Sequence, residues 1–235
     1  MESKLYLDLL QQPDDTTCGP TCLHGVYRYF GDGISLTQVV DEVMPLRKGG
    51  TMAVYLANHA LGRHFAATIY TYNLQVFDPT WFQDKQISIY EKLEMQTALK
   101  KDTTIREIVP AYLHFLEHGG EFRFEDLTAG LIRKYLNRSI PILTGLSATY
   151  LYNCAREYPR GRMLVYDDIR GEPTGHFVVL SGYDKEKRTV LIADPFRPNP
   201  VSPYQKYEVD IDRLICAIML GILTYDANLL IVEPN

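Results

Sequence analysis

The sequence predicts an α+β fold in which an N-terminal helix packs on an antiparallel sheet. Three observations lead there. Helical apolar spacing dominates the first third, residues 74–120 are patterned almost entirely as helix, and the last third carries apolar runs separated by turn signals. At 235 residues the chain suits one large domain, with residues 74–120 as a helical insertion within it. Hydrophobic residues at 46% and charged residues at 23% describe an ordinary globular protein, and the net charge of −5 gives no basis for a nucleic-acid partner.

The elements follow in order. In "QQPDDTTCGPTCLHGVYRYFG", residues 11–31, Thr17 is the expected N-cap and Cys18 the first helical residue. Pro20 falls in the first turn, where N–H groups have no intrahelical partner, Cys22, Val26, Tyr29 and Phe30 keep helical spacing, and Gly31 stops the helix. "SLTQVVDEVM" reads as a second helix with Ser35 and Gln38 forming a capping box and Pro45 ending it. A third runs from Thr51 to Leu61, stopped by Gly62, and "FAATIYTY" is a strand. "SIYEKLEMQTALKK" and "TIREIVPAYLHFLEHGG" give the helices of the insertion. In "FEDLTAGLIRKYLNR", Leu127, Leu131, Ile132 and Tyr135 share one helix face, and "IPILTGL" is the next strand. "HFVVLSGYD" and "TVLIADP", joined by "KEKR", form an antiparallel hairpin. "RPNPVSPY" is a loop because Pro198, Pro200 and Pro203 lack a ladder N–H, and "ICAIMLGIL" and "ANLLIVEP" complete a sheet-rich last third.

The opening "MESKLYLDLLQQP" has no apolar leader core and carries Glu2 and Asp8, so a cytoplasmic location is expected. The longest apolar runs fall short of the roughly 18 residues that span a bilayer, so no membrane partner is expected. Four cysteines in a chain of this length do not make a disulfide scaffold, and each must serve as core, ligand or nucleophile.

Cys18 is the candidate nucleophile, because the positive end of a helix dipole stabilises a thiolate. Such a thiol needs a base, an orienting group and oxyanion donors. His176 opens the strand "HFVVLSGY". With the hairpin turn centred near Glu186, pairing sets His176 opposite a residue near Asp194 or Pro195, so that Asp194 can hold the imidazole. The Cys18 backbone N–H and the side-chain amide of Gln12 are the oxyanion candidates.

The spacing Q-x5-C-G-P-x-C-L from Gln12 to Leu23, followed by "GHFVVLSGYD" and then "ADP", resembles cysteine peptidase family thirty-nine. These are the papain-like peptidases that remove double-glycine leaders from bacteriocins, together with their standalone relatives. The resemblance covers about the first sixty residues and residues 127–195. It implies a papain-like fold with nucleophile Cys18, base His176, orienting acid Asp194 and oxyanion residue Gln12. Leader peptidases commonly carry Asp before the nucleophile, where Thr17 stands here, and many are fused to an export ATPase. This chain has neither a G-x4-G-K-[ST] loop nor a membrane span, so thiol chemistry on an amide is implied more firmly than a leader substrate.

Other residues read more simply. Cys22, one turn from Cys18, could pair with it or join a metal site but suits a buried small residue. His24 faces away from Cys18 round the helix. His114 and His118 have i, i+4 spacing, yet no Glu follows His114 as in H-E-x-x-H and no third ligand is evident, so they read as helix surface. Asp78 in "VFDPTW" is a turn residue, and the pairs Gly49–Gly50 and Gly119–Gly120 are hinges or helix stops.

The expectation is a thiol hydrolase that cleaves a peptide or isopeptide bond through a thioester, with no metal or organic cofactor. Its partners are a peptide or protein substrate and, on the helical insertion, a protein that could dock there. The alternatives are an acyl or peptidyl transferase using the same residues, and a peptidase-like module that binds peptide without cutting it.

Overall fold

The structure, a computed structural model, describes residues 3–46, 50–160, 163–224 and 226–235; Glu2 and Gly49 named above lie outside these ranges. The N-terminal part holds β1 (Ser3–Lys4), α1 (Cys18–Tyr29), α2 (Leu36–Glu42), α3 (Ala53–Gly62) and β2 (Phe65–Thr71). Then come α4 (Ile89–Leu99), α5 (Thr103–Glu117), β3 (Glu121–Arg123), α6 (Ala129–Leu136), β4 (Ile142–Ser147) and α7 (Ala148–Tyr152). The chain continues through β5 (Glu157–Arg160), β6 (Met163–Tyr166), β7 (Gly175–Asp184), β8 (Thr189–Ala193), β9 (Lys206–Asp210), α8 (Ile211–Leu220) and β10 (Asn228–Pro234). The main sheet has the order β3-β2-β10-β4-β7-β8-β9, with β1 paired to β7, and only the β2–β3 pair is parallel. β5 and β6 form a separate hairpin.

The sheet is covered on both faces, which explains why its central strands read as unbroken apolar runs. On β7, Phe177 and Val179 join the core built with α1, α3 and α5, while Val178 and Leu180 join the core built with α6, α7 and α8. On β10 the same alternation divides Leu230 and Val232 from Leu229 and Ile231. Each such side chain, taken fully from water, contributes about 1.5–3 kcal/mol. Between β2 and β3, Leu93 of α4 and Ile105, Ile108, Val109 and Phe115 of α5 join the same core as α1.

α1 is sheathed in protein, with every residue from Cys18 to Tyr27 buried. It begins at Cys18 and stops before Gly31, whose φ of +86° suits a residue without Cβ. Thr17 does stand at the N-cap, but its side chain makes no cap bond and instead contacts Asp14 through both N–H and carbonyl. Ser35 caps α2 as expected, whereas Gln38 bonds forward to Glu42 rather than back to the cap. α3 starts two residues later than Thr51. The largest correction concerns "ICAIML", which is helical: the side chain of Asp210 caps α8 through the N–H groups of Asp212 and Arg213, and Leu214, Ala217 and Ile218 form its buried face. Short apolar runs do not distinguish strand from buried helix.

No helix among the described residues is long and apolar enough to cross a membrane.

One acid is buried away from the cleft residues. Asp226, 6% exposed, precedes β10 and leans so closely on β4 that a Cβ at Gly145 would come within 2.6 Å of it. Burial raises its carboxyl to about 8, despite bonds from the Ala53 N–H and Asn228. The unfolded chain releases this proton near pH 4 and the folded chain only near pH 8, so folding stability from this group falls as pH rises between them. Asp226→Asn is therefore expected to raise the melting temperature at pH 8 relative to the parent protein and to change it little at pH 4. Thermal unfolding at the two pH values measures this, and an equal shift at both would refute the assignment.

Candidate active site

Three chain segments meet where α1 begins. The N-terminal segment is laid against the far edge of the sheet by Leu5 N–H to Ser181 O at 2.7 Å, by Gln12 N–H to Pro195 O at 3.0 Å, and by an ion pair of Lys206 with Asp8 at 2.6 Å. This run delivers Gln12 and then Cys18, the first residue of α1, to the end of β7 where His176 stands.

The hairpin brings His176 and Asp194 to the same end of the sheet. β7 carries an irregularity between Leu180 and Gly182, so the pairing shifts and the last partners are Val179 and Ala193. His176 and Asp194 are not opposed in the ladder; His176 pairs through its backbone with Leu146 of β4. Their side chains still meet, with His176 Nε2 at 2.9 Å from Asp194 Oδ1.

Asp194 is wholly buried and fully satisfied. Its Oδ1 also accepts the Phe196 N–H at 2.9 Å, and its Oδ2 accepts the hydroxyls of Tyr152 at 2.8 Å and Tyr207 at 2.7 Å. Burial works against its charge, but the imidazole and these donors outweigh burial and hold its carboxyl below the ordinary value. For His176 burial likewise opposes ionisation, yet the Asp194 carboxylate and the Cys18 side chain raise the ring well above the usual histidine range. Since Asp194 can only accept, Nε2 carries a proton, which leaves Nδ1 as the ring nitrogen for Cys18. The ring is braced by Tyr152 and Phe196 at centroid separations of 5.9 and 6.4 Å.

Tyr152 and Tyr207 are the members that sequence reasoning missed. Tyr152 closes the short helix α7, which starts where Ser147 ends β4 and caps the turn. Tyr207 lies on β9, cross-strand from Ile192. The alternating burial of "KYEVD" could have marked that strand, but nothing local to "ATYLY" points to a carboxylate.

Gln12 reaches the site with a qualification. Its Nε2 donates to the Asp14 carbonyl at 2.8 Å, so one of its two amide hydrogens is engaged within its own loop, while its Oε1 is buried without a partner among the described residues. A cavity of about 260 Å³ opens on Gln12 and His176. Tyr152 and Phe196 border it, and across from the sheet the hairpin contributes Glu157, Leu164 and Tyr166.

The remaining candidates fall where their bland readings put them. Cys22 is fully buried, bonds the Phe177 carbonyl at 3.3 Å and has its thiol pushed well up by burial; it is unpaired, as are Cys18, Cys154 and Cys216. His24 is buried with its Nδ1 unpartnered among the described residues, and burial and Arg28 lower its ring. Asp78 caps a turn by accepting the Thr80 N–H at 2.9 Å. Side chains able to hold a metal gather elsewhere, at the end of α5.

Asp194→Asn removes the charge that raises His176, so the imidazole titration followed by NMR is expected to move down in pH. The sign follows from linkage. A raised histidine contributes stability that is fully present below about pH 6.5 and is lost as pH rises through the folded-state value, so this alkaline loss should shrink in Asp194→Asn. Tyr207→Phe deletes one of the four bonds to a buried carboxylate and is expected to cost about 1.5–3 kcal/mol in denaturant unfolding.

The model of the Peptidase_C39 like family matches residues 4–213. A structure described as that of a C39-like peptidase from Bacillus anthracis is 13% identical, with 100% of this chain and 98% of that one covered at a TM-score of 0.50. The peptidase domain of Streptococcus ComA, a bi-functional ABC transporter, is 14% identical over 98% of this chain and 100% of that one, with a TM-score of 0.44. Xylellain, a cysteine protease from Xylella fastidiosa, is 12% identical over 100% of this chain and 86% of that one, with a TM-score of 0.45. No curated protein sequence matches the chain. The α+β architecture, with its N-terminal helix on a mostly antiparallel sheet, is the papain-like fold shared with the Bacillus protein. By the match over nearly its whole length, the chain belongs to the Peptidase C39-like family of cysteine peptidases.

Proposed function

We propose that the protein is a thiol hydrolase that cleaves a peptide or isopeptide bond with Cys18 as nucleophile, His176 as acid and base, and Asp194 as the residue that orients His176. The observation that carries this reading is the buried 2.9 Å pair of His176 and Asp194 beside the cysteine that starts α1. A histidine kept protonated by a buried carboxylate stabilises a neighbouring thiolate, and the helix start adds its positive end to the same effect.

The thiolate attacks the carbonyl carbon and the charge moves to the carbonyl oxygen. There the Cys18 N–H is the backbone donor, and the free hydrogen of the Gln12 amide is the side-chain one. Collapse of this intermediate breaks the C–N bond as His176 gives its proton to the departing amine. The neutral imidazole then takes a proton from water, which attacks the thioester and releases the acid. No step calls on a group from outside the chain. The substrate lies in the 260 Å³ cavity, with the β5–β6 hairpin as its outer wall. The reading treats the chain as one domain with residues 74–120 as an insertion, supported by the shared core of α1, α3 and α5. A compartment that keeps thiols reduced suits a reactive Cys18 and three further unpaired cysteines.

The test is turnover of a peptide library read by mass spectrometry, alongside alkylation of Cys18. Iodoacetamide near pH 6 is expected to label Cys18 faster than a free cysteine. Cys18→Ala and His176→Ala are each expected to lower turnover by about 10⁴-fold or more while folding is retained. Added amine separates hydrolysis from transfer by product mass. Ordinary Cys18 reactivity with tight peptide binding and no turnover would instead establish the non-cutting module.

A further inference from the structure

Among the described residues, side chains able to ligate a metal converge outside the cleft at the C-terminal end of α5. His114, Glu117 and His118 each offer one donor atom, and these atoms all lie within 4.8 Å of one another. The spacing i, i+3, i+4 puts all three on one helix face. No Glu follows His114 as in H-E-x-x-H; the acid stands three residues on instead.

Two of the three donors are held from behind. The His118 ring nitrogen Nδ1 lies 2.8 Å from the His114 carbonyl; a carbonyl can only accept, so Nδ1 carries the proton and Nε2 is left as a lone pair. Glu117 receives the Tyr90 hydroxyl on Oε1 at 2.8 Å, a bond that comes from a second helix, α4, and leaves Oε2 to ligate. Bonds of this kind orient the ligands of metal sites. The two imidazoles are already side by side, with centroids 3.9 Å apart.

The platform is also fixed. Gly119, at φ +84°, ends the helix, and the Gly120 N–H returns to the Phe115 carbonyl at 2.8 Å. Phe115 is fully buried against Phe122, and a Cβ at Gly120 would approach its ring to 2.3 Å, so the turn has one arrangement. The last carbonyls of α5 supply the negative end of a helix dipole, which favours a cation.

We propose that His114, Glu117 and His118 form a binding site for a borderline divalent transition-metal ion, Zn²⁺ in the first instance. Two imidazole nitrogens and one carboxylate oxygen select such an ion over Mg²⁺ or Ca²⁺, which prefer oxygen ligands throughout. All three residues are exposed, so the ion keeps positions open to water or to a donor from another molecule. The site is independent of the proposed chemistry at Cys18.

The experiment is calorimetric titration of Zn²⁺ into the tag-free full chain carrying Cys18→Ser, so that the cleft thiol does not compete. One ion per chain is expected, undiminished by millimolar Mg²⁺. His118→Ala and Glu117→Gln, both at exposed positions, are expected to abolish or greatly weaken binding, and Tyr90→Phe to weaken it roughly 10–100-fold. Co²⁺ should give a visible absorption spectrum that disappears in His118→Ala. The proposal is overturned if no Zn²⁺ binds, or if binding is unchanged in His118→Ala and Glu117→Gln with circular dichroism intact, since the ion then resides elsewhere.

Discussion

A carboxylate with no exposure to water must find its hydrogen bonds inside the protein, and Asp194 is that carboxylate here. Its four donors come from β7, α7, β9 and the turn that follows β8. Removing any of these elements leaves a buried charge short of a partner, so the positions of four separate chain segments are tied to one side chain. The same network fixes His176, because an imidazole bound to such a carboxylate has one orientation and one free nitrogen. Tyr152 and Tyr207 thus serve the packing of the chain and the placement of His176 through the same carboxylate.

The second constraint is how Cys18 reaches His176. Cys18 belongs to the core on one face of the sheet, while Tyr152 and the partly buried Phe196 that brace His176 belong to the core on the other. The juncture is made by residues 3–17, which run along the sheet and bond to Ser181, Pro195 and Lys206 before entering α1. α1 is then locked by burial from Cys18 to Tyr27. A helix enclosed to this extent holds its first residue in place better than a loop does, which suits the role proposed for Cys18.

The cleft wall lies within the residues that the family model matches but apart from the main sheet. The β5–β6 hairpin is separate from the main sheet and sets Leu164 and Tyr166, both more than half exposed, at the cavity beside Glu157. A wall with apolar side chains and an acid suits the peptide proposed as substrate.

Much of this protein is legible in its sequence. The helix start at Cys18, the strand opening at His176, the strand ending at Asp194 and the two-faced apolar runs all follow from local periodicity, capping and turn chemistry. These are short-range properties, carried by a few adjacent residues. What only the tertiary structure decided depends on contacts between residues far apart in the chain. The irregularity after Leu180 moved the ladder register, "ICAIML" became a helix because its apolar face found a core, and Tyr152 and Tyr207 became ligands of Asp194 from 42 and 13 residues away. The Gln12 amide turned towards Asp14, and Glu117 joined two histidines under the hold of a tyrosine from another helix. Burial and hydrogen-bond satisfaction are settled by the whole packed chain, so no window of sequence contains them.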